Sequence, residues 1–212
     1  MKKSEITKER ILKAATELFA EHGYHGTTHQ MMSENAKVNI AAINYHFGSK
    51  ENLYLKVWEY LVGLGMQNYR NYINDDDSPE DQLHAFIRWR VRAVTSTGIK
   101  SCLSQIMRRE MAKPSPVYDQ LQECYLNEKR KWFFSLISDI VGHDLDARSI
   151  SMAAFCIHSP LIHLVEMKAI MQTSLDEGVK EQLAEFWKDP DTIADSIYIF
   201  AIAGLRQISE KK

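Results

Sequence analysis

Cysteine, strand-like alternation of polar and apolar residues, and net charge are all scarce in this sequence. It has three cysteines in 212 residues, at positions 102, 124 and 156, and no CxxC pair. This sparse, odd count argues against a disulfide framework and is typical of a reducing compartment. The net charge is -2 at pH 7, and residues 1–60 hold eight Lys or Arg against seven Asp or Glu. A nucleic-acid function would therefore depend on where a few cations lie and not on bulk charge.

Long hydrophobic runs and the motifs of common enzymes are missing as well. No apolar run reaches the roughly 18 residues of a membrane span, and the start of the chain, MKKSEITKER, lacks the apolar segment of a signal peptide. We therefore expect a cytoplasmic protein. The sequence has no GxSxG, GxxxxGK[ST], GxGxxG or HExxH motif. We predict that the chain is not an enzyme and that it uses no cofactor or metal.

The apolar residues repeat with a helical period almost throughout, which predicts an all-α protein. Gly23 is expected to end the first helix. Four residues precede helical segments and are typical N-caps: Thr28, Asn39, Ser49 and Ser78. Later helices are expected to begin near residues 99, 114, 146 and 190. The layout predicts a three-helix N-terminal domain joined by a long helix to a C-terminal helical bundle.

The third predicted helix, residues 39–47, has an unusual outer face. Ile43 and Phe47 lie one turn apart and can point inward. The opposite side then carries small, apolar and amide groups but no charge: Ile40, Ala41, Asn44 and Tyr45. Asn can bond adenine, and Ala or Ile can contact a thymine methyl. The periodicity leaves two interpretations open, a DNA-reading helix or a helix packed against another protein surface.

Residues 7–60 resemble the TetR family of bacterial repressors. The resemblance rests on the runs ERILKAATELFAEHGYHGTT and AAINYHFGSKENLY. It implies a helix-turn-helix DNA-binding domain at residues 1–55 and a ligand-binding and dimerisation domain at residues 56–212. By position, Tyr45, His46 and Lys50 correspond to phosphate contacts, and Thr28 to the cap of the second helix near the DNA backbone. The predicted DNA-binding set is Thr28, Gln30, Lys37, Asn39, Ile40, Ala41, Ala42, Asn44, Tyr45, His46 and Lys50.

The sequence departs from the family pattern at two of these positions. Lys37 stands in the turn where the family usually has glycine, and a positive φ there would cost about 1 kcal/mol. Asn44 stands where an aromatic residue is common, with Tyr45 beside it. Which of these two contacts phosphate is left open.

The C-terminal half resembles a CecR-like branch of the same family through the run CLSQIMRREMAKPSPVYDQL. The resemblance implies a homodimer that binds a pseudo-palindromic operator and responds to a small molecule, usually as a repressor. Two apolar segments, SMAAFCIHSPLIHLVEMKAIM and IADSIYIFAIAGLRQI, are the expected dimer pair. The alternative, that both lie at the centre of one monomer's core, stays open.

Polar and aromatic residues within apolar surroundings indicate where an effector would bind. The predicted ligand-binding set is Trp89, Arg92, Gln105, Arg108, Tyr125, Phe155, His158 and His163. Internal pairing among the polar members is the alternative interpretation. A second functional hypothesis is a helical metalloprotein or metal-dependent enzyme that uses His158, His163 and Glu166.

Overall fold

The computed structural model describes residues 3–70, 72–74, 76–142, 145–171 and 176–210, and these residues form helices and no strand. The helices are α1 (Lys3–Gly26), α2 (His29–Ala36), α3 (Ile40–Phe47), α4 (Lys50–Arg70), α5 (Pro79–Thr95), α6 (Ile99–Ala112), α7 (Tyr118–Leu121), α8 (Asn127–Val141), α9 (Ala147–Met171), α10 (Glu177–Phe186) and α11 (Pro190–Glu210). A π-helical segment, Gln122–Leu126, lies between α7 and α8. The all-α prediction is confirmed.

The predicted helix starts agree with the caps that form. The side chains of Thr28, Asn39 and Ser78 accept hydrogen bonds from Met31 N, Ala42 N and Asp81 N, which begin α2, α3 and α5. Ser49 Oγ accepts Asn52 N at 3.2 Å and begins α4 in the same way. Each cap satisfies one of the backbone donors that a helix start leaves without a partner.

Two features of the helices differ from the sequence-based expectation. Helix α10 was not expected, although Val179, Leu183 and Phe186 have the i, i+4, i+7 spacing of an amphipathic helix. The single long helix expected from residue 114 to residue 142 is instead α7, the π-helical segment and α8. A π-helical turn depends on local packing, which the apolar period does not encode.

The chain folds as two compact units: Met1–Gly65 with Thr97–Leu126, and Met66–Ser96 with Asn127–Lys212. The predicted domain boundary between residues 55 and 56 remains a prediction. In the first unit, α1 to α4 and α6 share a core around Phe19, Tyr54 and Trp58, whose side chains are almost completely buried. The first unit therefore includes α6 as well as the three helices of the predicted DNA-binding module.

In the second unit, α5, α8, α9 and α11 share a core that contains Leu83, Ile87 and Ile137. Helix α9 is one helix with Pro160 inside it. By length and composition alone α9 meets the criteria for a membrane span, and one such helix is weak evidence because core helices of soluble proteins meet them too. The second unit is thus a helical bundle in which α9 also exposes apolar side chains.

Candidate nucleic-acid interface

Helices α2 and α3 and the turn between them form the candidate DNA-reading element. Lys37 adopts the left-handed conformation, φ 52° and ψ 49°, and is the one non-glycine residue with positive φ in the described part of the chain. Its neighbour Val38 donates its N–H to Ser33 O at 3.0 Å, which closes the end of α2. The turn therefore keeps the shape that glycine favours although lysine occupies it.

Arg10 of α1 holds this turn in place. Its Nη2 donates to the carbonyl oxygens of Ala36 at 2.5 Å and Lys37 at 3.1 Å, at the C-terminal end of α2. These carbonyls have no partner within the helix, so a cation is favourable there. The sequence did not predict this role for Arg10. An arginine on the polar face of a helix occupies the same positions whether it bonds to another helix or faces solvent.

The outer face of α3 has the composition that the sequence predicted. Ile43 and Phe47 are buried against α1, α2 and α4, and Ile40, Ala41 and Asn44 are exposed. Tyr45 is 84% exposed. A helix of eight residues that presents a tyrosine and an asparagine to solvent, with no charged side chain among them, has a surface suited to base edges and to phosphate oxygens.

The other residues predicted to contact DNA differ in how exposed their side chains are. Thr28, Gln30, Lys37 and Asn39 are exposed, whereas Ala42 and His46 are half-buried. The His46 and Tyr45 rings meet edge to face with centroids 5.2 Å apart, so His46 supports the exposed tyrosine.

Lys50 begins α4 and lies against an aromatic ring. Its Nζ is 4.3 Å from the centroid of Tyr24, and burial lowers the pKa of its ammonium group. The Tyr24 hydroxyl donates to the Glu51 carboxylate, and this bond lowers the pKa of Glu51. Lys50 therefore packs on Tyr24 beside α3 and stays partly exposed.

Helix α6 is tied to α4 by a buried carboxylate. Glu110 is 2% exposed, and its Oε1 accepts the Tyr54 hydroxyl at 2.7 Å. Its Oε2 accepts both the backbone N–H and the hydroxyl of Ser115 at 3.0 Å. These bonds explain the spacing of glutamate and serine in the run REMAKPSP, since the serine caps the carboxylate that reaches α4.

Arg109, the preceding residue, is tied to α1. Its Nε donates to Ala20 O at 2.9 Å, and its Nη2 donates to Glu21 O. His25 is 3.0 Å from Pro114 O through its Nε2. The segment from Arg109 to Ser115 thus contacts α1 on both sides of Gly23 and α4 at Tyr54, so it belongs structurally to the first unit.

The residues predicted to bind an effector are divided between the two units. Gln105, Arg108 and Tyr125 belong to the first unit and the other five to the second. Gln105 Nε2 donates to Ser101 Oγ at 3.0 Å. Arg92 pairs with Asp191 at 2.8 Å, and Phe155 is 68% exposed.

Three of the predicted effector residues in the second unit differ in their surroundings. Trp89 is buried, and His158 packs with its ring centroid 4.4 Å from that of Phe133. His163 lines an open pocket of about 460 Å³ between α9, α10 and α11, together with Leu164 and Phe186. The effector set as a whole remains a prediction.

The metalloprotein alternative is not supported. Among the described residues no group of three His, Cys, Asp or Glu side chains is placed to hold a metal ion. His158 faces Phe86 and Phe133, whereas His163 is exposed. Two residues five positions apart on one helix point in different directions, which explains why their sequence proximity does not make a site.

Two protein-family models match the sequence. Residues 11–57 match the model described as bacterial regulatory proteins, tetR family. Residues 79–205 match the model of the C-terminal domain of the HTH-type transcriptional dual regulator CecR. The first match covers α2 and α3 with their flanking helices, and the second covers more than half of the chain.

Individual relatives agree with the two family models. The CecR regulator of Shigella flexneri is 29% identical over 160 residues, which are 70% of this chain and 71% of that protein. The structure of HlyIIR, a hemolysin II transcriptional regulator, superposes with a TM-score of 0.60 at 26% identity and covers 79% of this chain and 91% of that one. AibR, solved with isovaleryl coenzyme A and operator DNA, has a TM-score of 0.67 at 17% identity over 91% of this chain and 96% of that one. The chain belongs to the TetR family, in the branch with a CecR-type C-terminal domain, and is a DNA-binding transcriptional regulator.

Proposed function

We propose that the protein is an effector-responsive repressor that reads its operator through the exposed face of α3. The observation that carries the proposal is the uncharged face of Asn44, Ile40 and Ala41 beside the exposed Tyr45. In this assignment Asn44 contacts a base edge, while Tyr45 and Lys50 contact phosphates. Repression follows when the bound protein occupies DNA that the transcription machinery needs.

We propose further that two copies act together and that the protein works in the cytoplasm, where its operator lies. Helices α9 and α11 expose large apolar side chains at Phe155 and Phe200, the latter 84% exposed. Met152, Ile162 and Ile199 on the same two helices are also exposed. Covering such side chains with a second copy removes apolar surface from water and presents two α3 helices to two half-sites.

A small-molecule effector completes the proposal. AibR, which has the same fold, was solved with both a coenzyme A thioester and operator DNA, and that ligand is a property of AibR alone. For this chain, the support is that the second unit contains buried aromatic side chains and a buried Arg90 Nε that makes no hydrogen bond to any described residue. The effector would change the spacing of the two α3 helices and release the operator.

The direct test is selection of a binding site from random DNA, followed by fluorescence anisotropy. The wild-type protein is expected to bind the selected site at least about a thousandfold more tightly than scrambled DNA. Asn44→Ala should weaken binding to the selected site at least about tenfold and leave binding to scrambled DNA unchanged, because it removes a base contact only. Tyr60→Ala, an exposed tyrosine on α4, is the matched control and should change neither affinity. Equal affinity of the wild-type protein for selected and scrambled DNA would refute operator recognition.

Placing charge on the exposed apolar face tests the dimer. Phe155→Asp combined with Phe200→Asp is expected to give a monomer by light scattering, because aspartate at a buried interface is strongly unfavourable. Operator affinity should fall about a hundredfold or more, since the two modules no longer bind as a linked pair. Met111→Asp alters an exposed methionine of α6 and should leave the dimer intact. A double variant that remains dimeric would place the interface elsewhere.

A further inference from the structure

Three basic side chains from three helices lie inside the second unit: Arg90 of α5, Lys129 of α8 and His158 of α9. The Nε of Arg90 is buried and makes no hydrogen bond to any described residue. All three side chains are nevertheless only half-buried as a whole, so solvent still reaches part of each. A basic group that is enclosed by protein and yet reachable by small molecules is placed as a ligand-binding group would be.

The three groups converge on the same aromatic residues. His158 contacts Phe133, and Lys129 lies one turn before Phe133 on α8. Arg90 follows Trp89, whose ring centroid is 5.9 Å from that of Phe86.

Burial lowers the pKa of the Arg90 guanidinium. Burial and then the charge of Arg90 lower the pKa of Lys129 to about 8 and that of His158 to about 4. At neutral pH, Arg90 and most Lys129 are therefore cationic, and His158 is a neutral ring with one N–H to donate.

Acidic residues of the second unit pair with other cations. Asp195 of α11 accepts from His84 at 2.7 Å and Arg88 at 3.0 Å. Asp191 accepts from Arg92 at 2.8 Å. Within the described ranges, no ion pair joins a carboxylate to Arg90 or Lys129. Because enclosed charges without partners are unfavourable, the protein keeps these two cations at a cost to its own stability.

Aromatic rings contact Arg90 and His158. The Cζ of Arg90 is 5.8 Å from the centroid of Trp89. The ring of His158 lies 4.4 Å from that of Phe133 and 5.8 Å from that of Phe86, and Trp132 lies 5.7 Å from Phe86. The basic groups thus stand at the edge of an apolar aromatic cluster, which suits a ligand with a charged end and an apolar body.

We infer that Arg90, Lys129 and His158 bind the anionic end of the effector, and that the effector is an amphipathic organic anion with a carboxylate or phosphate group. This inference rests on the proposed effector response and names its ligand class. The oxyanion accepts hydrogen bonds from the Arg90 guanidinium and the Lys129 ammonium, which are the strong charge-assisted kind. The apolar body lies against Trp89 and Phe133. His158 was among the residues predicted from the sequence, whereas Arg90 and Lys129 were not.

The test measures thermal unfolding of the full-length protein without DNA. The probes are sodium octanoate and sodium phenyl phosphate, compared with sodium chloride at equal ionic strength and with neutral 1-octanol. At least one organic anion is expected to raise the midpoint by about 3–6 °C at saturation, because it binds only the folded state. Neutral 1-octanol should not, and His163→Ala, which alters the separate open pocket, should respond as the wild-type protein does.

Two variants decide whether the basic groups are responsible. Arg90→Gln should abolish the anion-dependent shift. Lys129→Met should raise the midpoint without anion, because it removes an enclosed unpaired cation, and should reduce the anion response at least by half. The inference is overturned if neither anion stabilises the wild-type protein, or if both variants respond to the anions as the wild-type protein does. Operator binding, measured separately without anions, tests the proposed repressor function, so a failure of one measurement is distinguishable from a failure of the other.

Discussion

Glu110→Ala is expected to lower the thermal midpoint by about 6–12 °C, corresponding to about 3 kcal/mol of unfolding free energy. The substitution leaves the Tyr54 hydroxyl and both donors of Ser115 without an acceptor at a site where Glu110 itself is 2% exposed. Each unsatisfied buried donor costs about 1–3 kcal/mol, and the lost side-chain volume adds a cavity. Thermal unfolding followed by circular dichroism measures the midpoint.

Tyr54→Phe is the matched control, since it removes one of the three hydrogen bonds and keeps the ring in the core. It is expected to lower the midpoint by about 2–4 °C, corresponding to about 1 kcal/mol. If Glu110→Ala lowered the midpoint no more than Tyr54→Phe, the carboxylate would not be the centre of this network. Operator binding by Glu110→Ala, measured below its midpoint, then shows whether the contact between α6 and α4 also supports α3.

The contacts of Arg109 and Glu110 show where sequence reasoning reached its limit. The sequence identifies the run REMAKPSP by resemblance alone. In the structure both bond to other helices of the first unit, Glu110 to Tyr54 of α4 and Arg109 to Ala20 O of α1. A charged residue with buried partners has the same helical spacing as one that faces solvent, so the apolar period does not distinguish them.

Local features of the fold were predicted well because local chemistry determines them. The caps at Thr28, Asn39 and Ser78 form as expected, since each needs only a side chain and a backbone N–H three residues away. The inward side of α3 followed from the spacing of Ile43 and Phe47. By contrast, the support that Arg10 gives to the turn at Lys37 joins residues 27 positions apart, and no local pattern encodes it.

Gly23→Ala is expected to destabilise the protein by about 2–3 kcal/mol and to lower its midpoint by about 4–12 °C. Gly23 has φ 71° and ψ 176°, a conformation that residues with a Cβ atom hardly adopt. A Cβ at this position would also lie 3.2 Å from the Cδ of Arg109. The substitution therefore strains the backbone and disturbs the side chain that contacts the end of α1.

Side chains bond to several backbone carbonyls around the kink in α1 at Gly23. Thr27 is fully buried, and its hydroxyl lies 2.8 Å from Gly23 O and 3.1 Å from Leu18 O. Arg109 satisfies Ala20 O and Glu21 O. Moving Gly23 thus displaces the side-chain partners of several carbonyls at once, around the point where its non-helical conformation interrupts α1.

Gly63→Ala is the matched control and is expected to stabilise the protein. Gly63 lies within α4, and a Cβ there would meet no atom within 4 Å. Alanine is expected to raise the midpoint by about 2–4 °C, since it favours the helix by about 1 kcal/mol over glycine. Midpoint shifts of the same sign in the two variants would contradict the assignment of strain to Gly23. Opposite signs would show that the chain at Gly23 is held in a conformation that glycine tolerates and alanine does not.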